Sequence, residues 1–386
     1  MDEGYKLQKL PTLLCRIQVI VEARDEATLY HFLSLRRMYT MISFPHLNPF
    51  RAKFLIAALL LCNAIFLVQR FHPNGFWTPR IVDYGAGNAT LGFAALLAVA
   101  PPKAPQRYRW RKDGLLKAAA YTGLKIQIPV QPAWTDKDTS AMIAKHQMSK
   151  GGALSWLGHL NALKTAATHA TSLILEDDAD WDVGIRMEMP IIAEAVRNLT
   201  RYKKPSQEPG QPTFHLPPYG TEWDVLWLGH CGENVVYDPK PITLADPTVP
   251  PYINSWEGAV SPDPKHIRWI HYSAGPICTY AYAITAEGAK KILARDDHGS
   301  EGFDIWLHIR CKGQELRCIS VNPELFHHHE IAGEKDSLIN GPSEDKKDVL
   351  EKEMTDNIWH SARCNSVSRS KQLVTCMGPR PGPKEE

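Results

Sequence analysis

The sequence predicts an α/β protein built on a mostly parallel central sheet, preceded by a single N-terminal transmembrane helix. Three observations carry this reading. Beyond residue 90, short apolar runs alternate with stretches of helical spacing, the pattern of strands joined by crossover helices. Phe54 to Val68, "FLIAALLLCNAIFLV", is apolar on every face, with Cys62 and Asn63 as the only mild interruptions. The overall balance, 44% hydrophobic and 22% charged over 386 residues, is that of an ordinary globular chain. A formal net charge of +2 gives no argument for a polyanionic partner, so nucleic acid is not expected.

The apolar run is bracketed by Arg51, Lys53 and Arg70. It is short for a span of about 20 residues, a length that flanking basic side chains and the thinner membranes of the early secretory pathway relax. No small-x-small cleavage site follows in "VQRFHPNGF", which argues for an anchor over a cleaved leader. The basic residues before it place the N-terminus in the cytosol, whether translation starts at Met1, Met38 or Met41. The expected organisation is a cytosolic tail 1–53, an anchor 54–70, a stem 71–89, a folded domain 90–362 and a disordered tail 363–386. Such a type II protein has its bulk in the Golgi or ER lumen. The sequons at Asn88 and Asn198 and six of the eight cysteines fall on that side. "CKGQELRC" reads as a tight turn between strands and suggests Cys311–Cys318; Cys231–Cys278 is a second candidate pair.

Within the folded domain, Leu91–Ala100 reads as a buried strand stopped by Pro101 and Pro102, and Arg109–Gly123 as a helix closed by its glycine. "LKIQIPV" alternates as a strand does. A helix follows from Thr135, then another with apolar residues at Leu154, Leu157, Leu160 and Leu163. It feeds the strand Ser172–Leu175. Further strands are expected at Glu222–His230, Gly275–Thr285 and "LRCISVNPELF", with a helix over Ala286–Asp297.

The strand Ser172–Leu175 runs straight into "EDDADWD", five carboxylates at Glu176, Asp177, Asp178, Asp180 and Asp182. In open α/β sheets ligands sit beyond the carboxyl ends of strands. Carboxylates gathered there suit a hard divalent cation, Mg²⁺ or Mn²⁺, completed by substrate phosphates. The alternative is a solvated acidic turn.

The blocks "GALSWLGHLNAL…SLILEDDADWDV", "WDVLWLGHCGE", "AYAITAEGAKKIL", "FDIWL" and "VNPELFHHH", in this order between Leu91 and Glu330, resemble glycosyltransferase family 25. That is the lipopolysaccharide and collagen galactosyltransferase group, and the likeness is strongest to its fungal secretory-pathway members. The resemblance implies a GT-A fold over 90–362, a nucleotide-sugar donor (commonly UDP-galactose), Mn²⁺ or Mg²⁺, inversion at the anomeric carbon, and a glycan or glycoprotein acceptor. It implies Glu176 and Asp177 at the donor and Asp178 on the metal, with Asp180 an alternative ligand because "DAD" is itself a D-x-D. Asp304 is the implied base, with Glu301 as the weaker candidate and a helix N-cap as Asp304's plain structural role. One of His327 and His329 is a further metal contact, since alternation along an extended chain sends the middle histidine elsewhere. His159 is either a structural histidine or a donor contact. The family's Asn-Leu-x-Arg-x-x-Arg stretch is replaced by "AVAPPKAPQRYRW", where Arg107, Arg109 and Arg111 are the available cations, Arg107 and Arg111 foremost. That departure makes a catalytically silent carbohydrate- or nucleotide-binding relative the alternative. A two-carboxylate glycosidase would need no nucleotide-binding opening and fits the chain less well.

Overall fold

The computed structural model describes residues 85–379, apart from 147, 202–216, 256–257, 261–265, 335, 338, 340 and 343–348. The expected cytosolic tail, anchor and most of the stem lie outside the described residues. Among the described residues no helix is long and apolar enough to cross a membrane.

The centre is an eight-stranded sheet of β1 (Ala95–Val99), β2 (Ile126–Gln127), β3 (Thr171–Glu176), β5 (Val225–Gly229), β6 (Ile242–Ala245), β9 (Ile267–Tyr272), β10 (Ala281–Thr285) and β11 (Cys318–Asn322), in the spatial order β2-β1-β3-β10-β5-β11-β9-β6. β4 (Ala179–Trp181) and β12 (Phe326–Glu330) form a separate three-stranded ribbon with the short strand Met354–Thr355, β12 in the middle, and β7 (Ile253–Ser255) and β8 (Gly258–Val260) a small hairpin. Six of its eight strands run one way, in keeping with the mostly parallel expectation, and the reversed β9 and β10 make it a mixed sheet. β1 pairs in parallel with β2 and β3, and β5 with β11, while β10 and β9 run against both of their neighbours. An isolated apolar run carries no record of its direction; its neighbours decide it.

Alternation along each strand divides the core in two. Leu96, Leu173 and Leu226 face one layer with α1 (Arg109–Thr122) and α4 (Ile185–Leu199). Leu97, Ile174 and Trp227 face the other with α3 (Lys150–Ala166), α5 (Ala286–Leu293) and α6 (Phe303–Lys312). α1 ends at Gly123, whose φ of 70° is the left-handed cap conformation a glycine adopts freely. α2 (Asp136–His146) follows Thr135, whose backbone N–H and hydroxyl both donate to Asp138 at 2.7 Å. α3 forms where its spacing predicts, but its buried stripe is Ala153, Trp156, His159, Leu163 and Ala166, and Leu154 is exposed. Trp156 is fully buried within that stripe.

Two domain boundaries differ from expectation. Ala86 and Leu91 are buried in the first core layer, so the fold begins before residue 90. The tail is folded at least to residue 379: Ala362–Val367 is a helix, α7, and Cys364 is bonded to Cys376. Its composition is polar, yet a short helix and a disulfide hold it without a core of its own. Cys231–Cys278 and Cys311–Cys318 are also formed; the latter joins the end of α6 to the start of β11, not two strands.

β12 reaches the sheet over Gly229, the last residue of β5. A Cβ there would lie 2.7 Å from the Phe326 carbonyl oxygen and 2.8 Å from the Ala281 nitrogen, both backbone atoms that cannot swing aside. Gly229→Ala is therefore expected to lower the unfolding free energy by about 2–3 kcal/mol through overpacking. Urea unfolding checks this, and a loss below about 0.5 kcal/mol, the scale of a neutral surface change, would refute the close approach.

Candidate active site

β3 delivers Glu176 to the carboxyl edge of the sheet, and the turn Asp177–Asp178 leads into β4. β4 pairs antiparallel with β12, setting Asp180 opposite His327 and Ala179 opposite His328, and the His329 N–H donates to the Asp178 carbonyl at 2.9 Å. Two motifs far apart in sequence thus meet in one ribbon. β10 enters the same edge from the opposite direction. The Glu176 N–H donates to the Tyr280 carbonyl at 3.0 Å, and the Thr279 hydroxyl donates to Glu176 Oε1 at 2.7 Å.

The positive partner of the acidic turn is Arg111, in the first turn of α1. Its Nε lies 2.7 Å from Asp177 Oδ1 and its Nη2 2.7 Å from Asp178 Oδ2. Burial works to lower the guanidinium pKa, but Asp178, Asp177 and Glu176 outweigh it and hold the group above its ordinary value. Arg107 and Arg109 are exposed, and Arg107 lies over the Tyr108 ring. Burial, then the charge of Asp178, pushes Glu176 up to about 7. Burial also raises Asp177, against the pull of Arg111.

Asp180 takes no part in an open site. Its Oδ2 accepts from the Thr355 hydroxyl at 2.6 Å and from the Ser361 hydroxyl, and its Oδ1 from the N–H groups of Arg363 and Trp181 at 3.0 and 2.9 Å. With every acceptor position filled it is a structural anchor, which corrects its place as an alternative metal ligand. The two outer histidines are corrected likewise. His329 Nδ1 bonds the Thr355 hydroxyl at 2.8 Å, and His327 packs at a tilt against Tyr280, with burial pushing its pKa down to about 4. The middle residue, His328, is the half-buried one on the acid side. Burial disfavours its charge, but Glu330, 3.1 Å from Nε2, and Asp178 hold its pKa above the usual value. Alternation does not keep the middle histidine apart: the His327 and His328 rings stack at 4.7 Å and both meet Tyr280, while His329 lies against Thr355.

Asp304 stands in the first turn of α6, close enough that its charge adds to the upward push on Glu176. It is not the N-cap, which is Gly302; its Oδ2 accepts the Cys278 N–H at 3.1 Å, beside the Cys231–Cys278 disulfide. Glu301 is exposed, and its carbonyl accepts from the Trp156 indole at 2.7 Å. His159 forms the floor: it stacks on Phe303 at 4.0 Å, its Nδ1 meets the Tyr282 hydroxyl at 3.1 Å, and its Nε2 lies 3.9 Å from Glu176. Burial lowers its pKa to about 3, so it is a neutral ring.

No protein-family model matches the chain, and no curated protein is significantly similar to it. The site has to speak through its own chemistry.

Among the described residues no three His, Cys, Asp or Glu side chains already converge as a metal cage. Two orphaned atoms, however, have the donor chemistry of a metal site: Asp178 Oδ1 and His328 Nδ1 are both buried without a hydrogen-bond partner. One carboxylate oxygen and one imidazole suit Mn²⁺, with phosphate oxygens to fill the remaining positions. Around the turn, the carboxyl groups of Glu176, Asp177, Asp178 and Asp180 stand against the guanidinium groups of Arg111 and Arg363. Arg363 is the residue sequence reasoning missed. It lies in a segment whose composition reads as tail, and no local pattern marks it.

Proposed function

We propose that the chain is a metal-dependent inverting hexosyltransferase of the family 25 type, moving a sugar from a nucleotide sugar such as UDP-galactose to a glycan or glycoprotein hydroxyl. The observation that carries this is the convergence, at one sheet edge, of an acidic turn with an orphaned Asp178 oxygen, a histidine with an orphaned nitrogen, and a separately anchored carboxylate, Asp304. Asp178 and His328 would hold Mn²⁺ or Mg²⁺, which when bound offsets the charge of a diphosphate leaving group. Arg111 adds fixed positive charge to the same turn and orients Asp178 through Nη2. Asp304 accepts the acceptor hydroxyl's proton as the new glycosidic bond forms and the bond to the diphosphate breaks. The Cys278 N–H fixes which of its oxygens is free for that task. Neutral His159 and Phe303 close the floor against water. Three disulfides favour an oxidising compartment, in keeping with a type II protein of the Golgi or ER membrane.

A second reading, a silent relative that binds a glycan or nucleotide, is favoured by Arg111 itself, since its ion pair already occupies one Asp178 oxygen. Asp178→Asn in the full chain separates the two. With Mn²⁺ and a panel of nucleotide sugars, the parent is expected to transfer or hydrolyse one donor, and the variant to lose at least about 10²-fold of that rate, the scale of a lost electrostatic stabiliser. Absence of donor binding across the panel would sink the transferase reading; retained glycan binding in the variant would support the second.

A further inference from the structure

We infer that Arg363, in the C-terminal segment beyond the five family-like blocks, is a positioning residue that holds the acidic turn against α1. Its guanidinium is buried and spends its donors on backbone. Nε donates to the Ala179 carbonyl at 2.9 Å, and Nη2 to the carbonyls of Asp177 at 2.6 Å and Arg111 at 3.0 Å. Its own N–H donates to Asp180 Oδ1. One side chain therefore stitches both ends of the turn that carries Asp178 to the residue, Arg111, that pairs with Asp178. An arginine fork can do this because its donors lie in one plane at fixed angles; a lysine presents a single point.

Three features serve this placement. Asp180 receives Ser361, Thr355 and the Arg363 N–H, which docks the segment on β4. The Cys364–Cys376 disulfide closes the loop that follows. Gly114, in the interior of α1, leaves the space: a Cβ there would strike Arg363 Nη1. Glycine inside a helix lowers its stability by about 0.5–1 kcal/mol relative to alanine, so an alanine there would be favoured were the space not needed. Arg363 also contributes charge, since Asp180, Asp178 and Asp177 all act on it against the lowering effect of burial.

The inference goes beyond the transferase reading, and its test has one arm that does not depend on it. In the full chain with disulfides intact, Arg363→Met, Arg363→Lys and Gly114→Ala are compared with the parent by amide hydrogen exchange and by Mn²⁺ titration calorimetry. Arg363→Met is expected to speed exchange over Asp177–Asp180 by about tenfold or more, the scale of lost buried hydrogen bonds, with β3 unchanged. Gly114→Ala, which leaves the segment's own sequence intact, is expected to produce the same local loosening, and Arg363→Lys an intermediate one. Mn²⁺ affinity should fall about tenfold in Arg363→Met, because splayed ligands bind less well. Unchanged exchange over the turn in both Arg363→Met and Gly114→Ala overturns the inference, as does tighter Mn²⁺ binding, which would mean that the arginine acts by charge alone. A parent that binds no Mn²⁺ defeats the metal reading, while the exchange arm still decides the role of Arg363.

Discussion

Asp304→Asn is expected to lower sugar transfer by about 10²–10⁴-fold, the range of a lost general base, with donor and Mn²⁺ affinity unchanged. The substitution is conservative in the structure. The asparagine carbonyl can still accept the Cys278 N–H, now 3.1 Å from Oδ2, and Gly302 remains the cap of α6. Removal of the carboxylate's basicity is the main chemical change, along with one negative charge near Glu176. The loss should therefore fall on kcat and leave the KM for donor nearly alone, unlike Asp178→Asn, whose effect should follow metal concentration. Initial rates at saturating donor and Mn²⁺ check it. A rate within about threefold of the parent, well below the range for a general base, would remove Asp304 from the chemistry.

Glu233→Gln is expected to stabilise the protein relative to the parent at pH 8 and to lose that advantage at pH 4.5. The Glu233 carboxyl is buried beyond the end of β5, and burial pushes its pKa up to about 7 although Ser320, Ser273 and Ala274 donate toward it. Its second oxygen, Oε2, has no hydrogen-bond partner and faces His271 Nε2 at 3.9 Å. Burial lowers His271 to about 4, so no positive charge compensates Glu233 from that side near neutrality. A carboxyl with a raised folded pKa contributes its full stability below the unfolded value of about 4.5 and loses it as pH rises through about 7. The gap corresponds to about 3 kcal/mol. Glutamine does not titrate, so the difference in unfolding free energy between variant and parent should move by about that amount in the variant's favour between pH 4.5 and 8. Urea unfolding at both pH values measures it; a pH-independent difference would show that folding does not raise the Glu233 pKa.

Several elements of the site were legible without coordinates. An apolar strand ending in carboxylates places them at a sheet edge, and β3 ends at Glu176. Helical spacing up to a glycine marks α1, and the Cys311–Cys318 pair is formed as the short spacing suggests, though between a helix and a strand rather than two strands. Arg111 was among the three arginines that local sequence offered, and its ion pairs with Asp177 and Asp178 across the fold select it.

The sequence by itself determined the alternation of strands and helices, the acidic edge, and the inventory of chemical groups near it, because each of these rests on contacts within a few residues. The direction of β10, the face of β12 that meets the acids, the saturation of Asp180 and the docking of Arg363 were decided by the tertiary structure alone. Period-two alternation predicts that His327 and His328 point apart, yet in the structure their rings stack at 4.7 Å beside Tyr280, because side-chain rotation and a neighbouring ring decide where each ends. A carboxylate becomes structural or available according to the donors that distant segments bring to it, and those donors, Thr355, Ser361 and Arg363, come from a stretch whose own composition carries no sign of order.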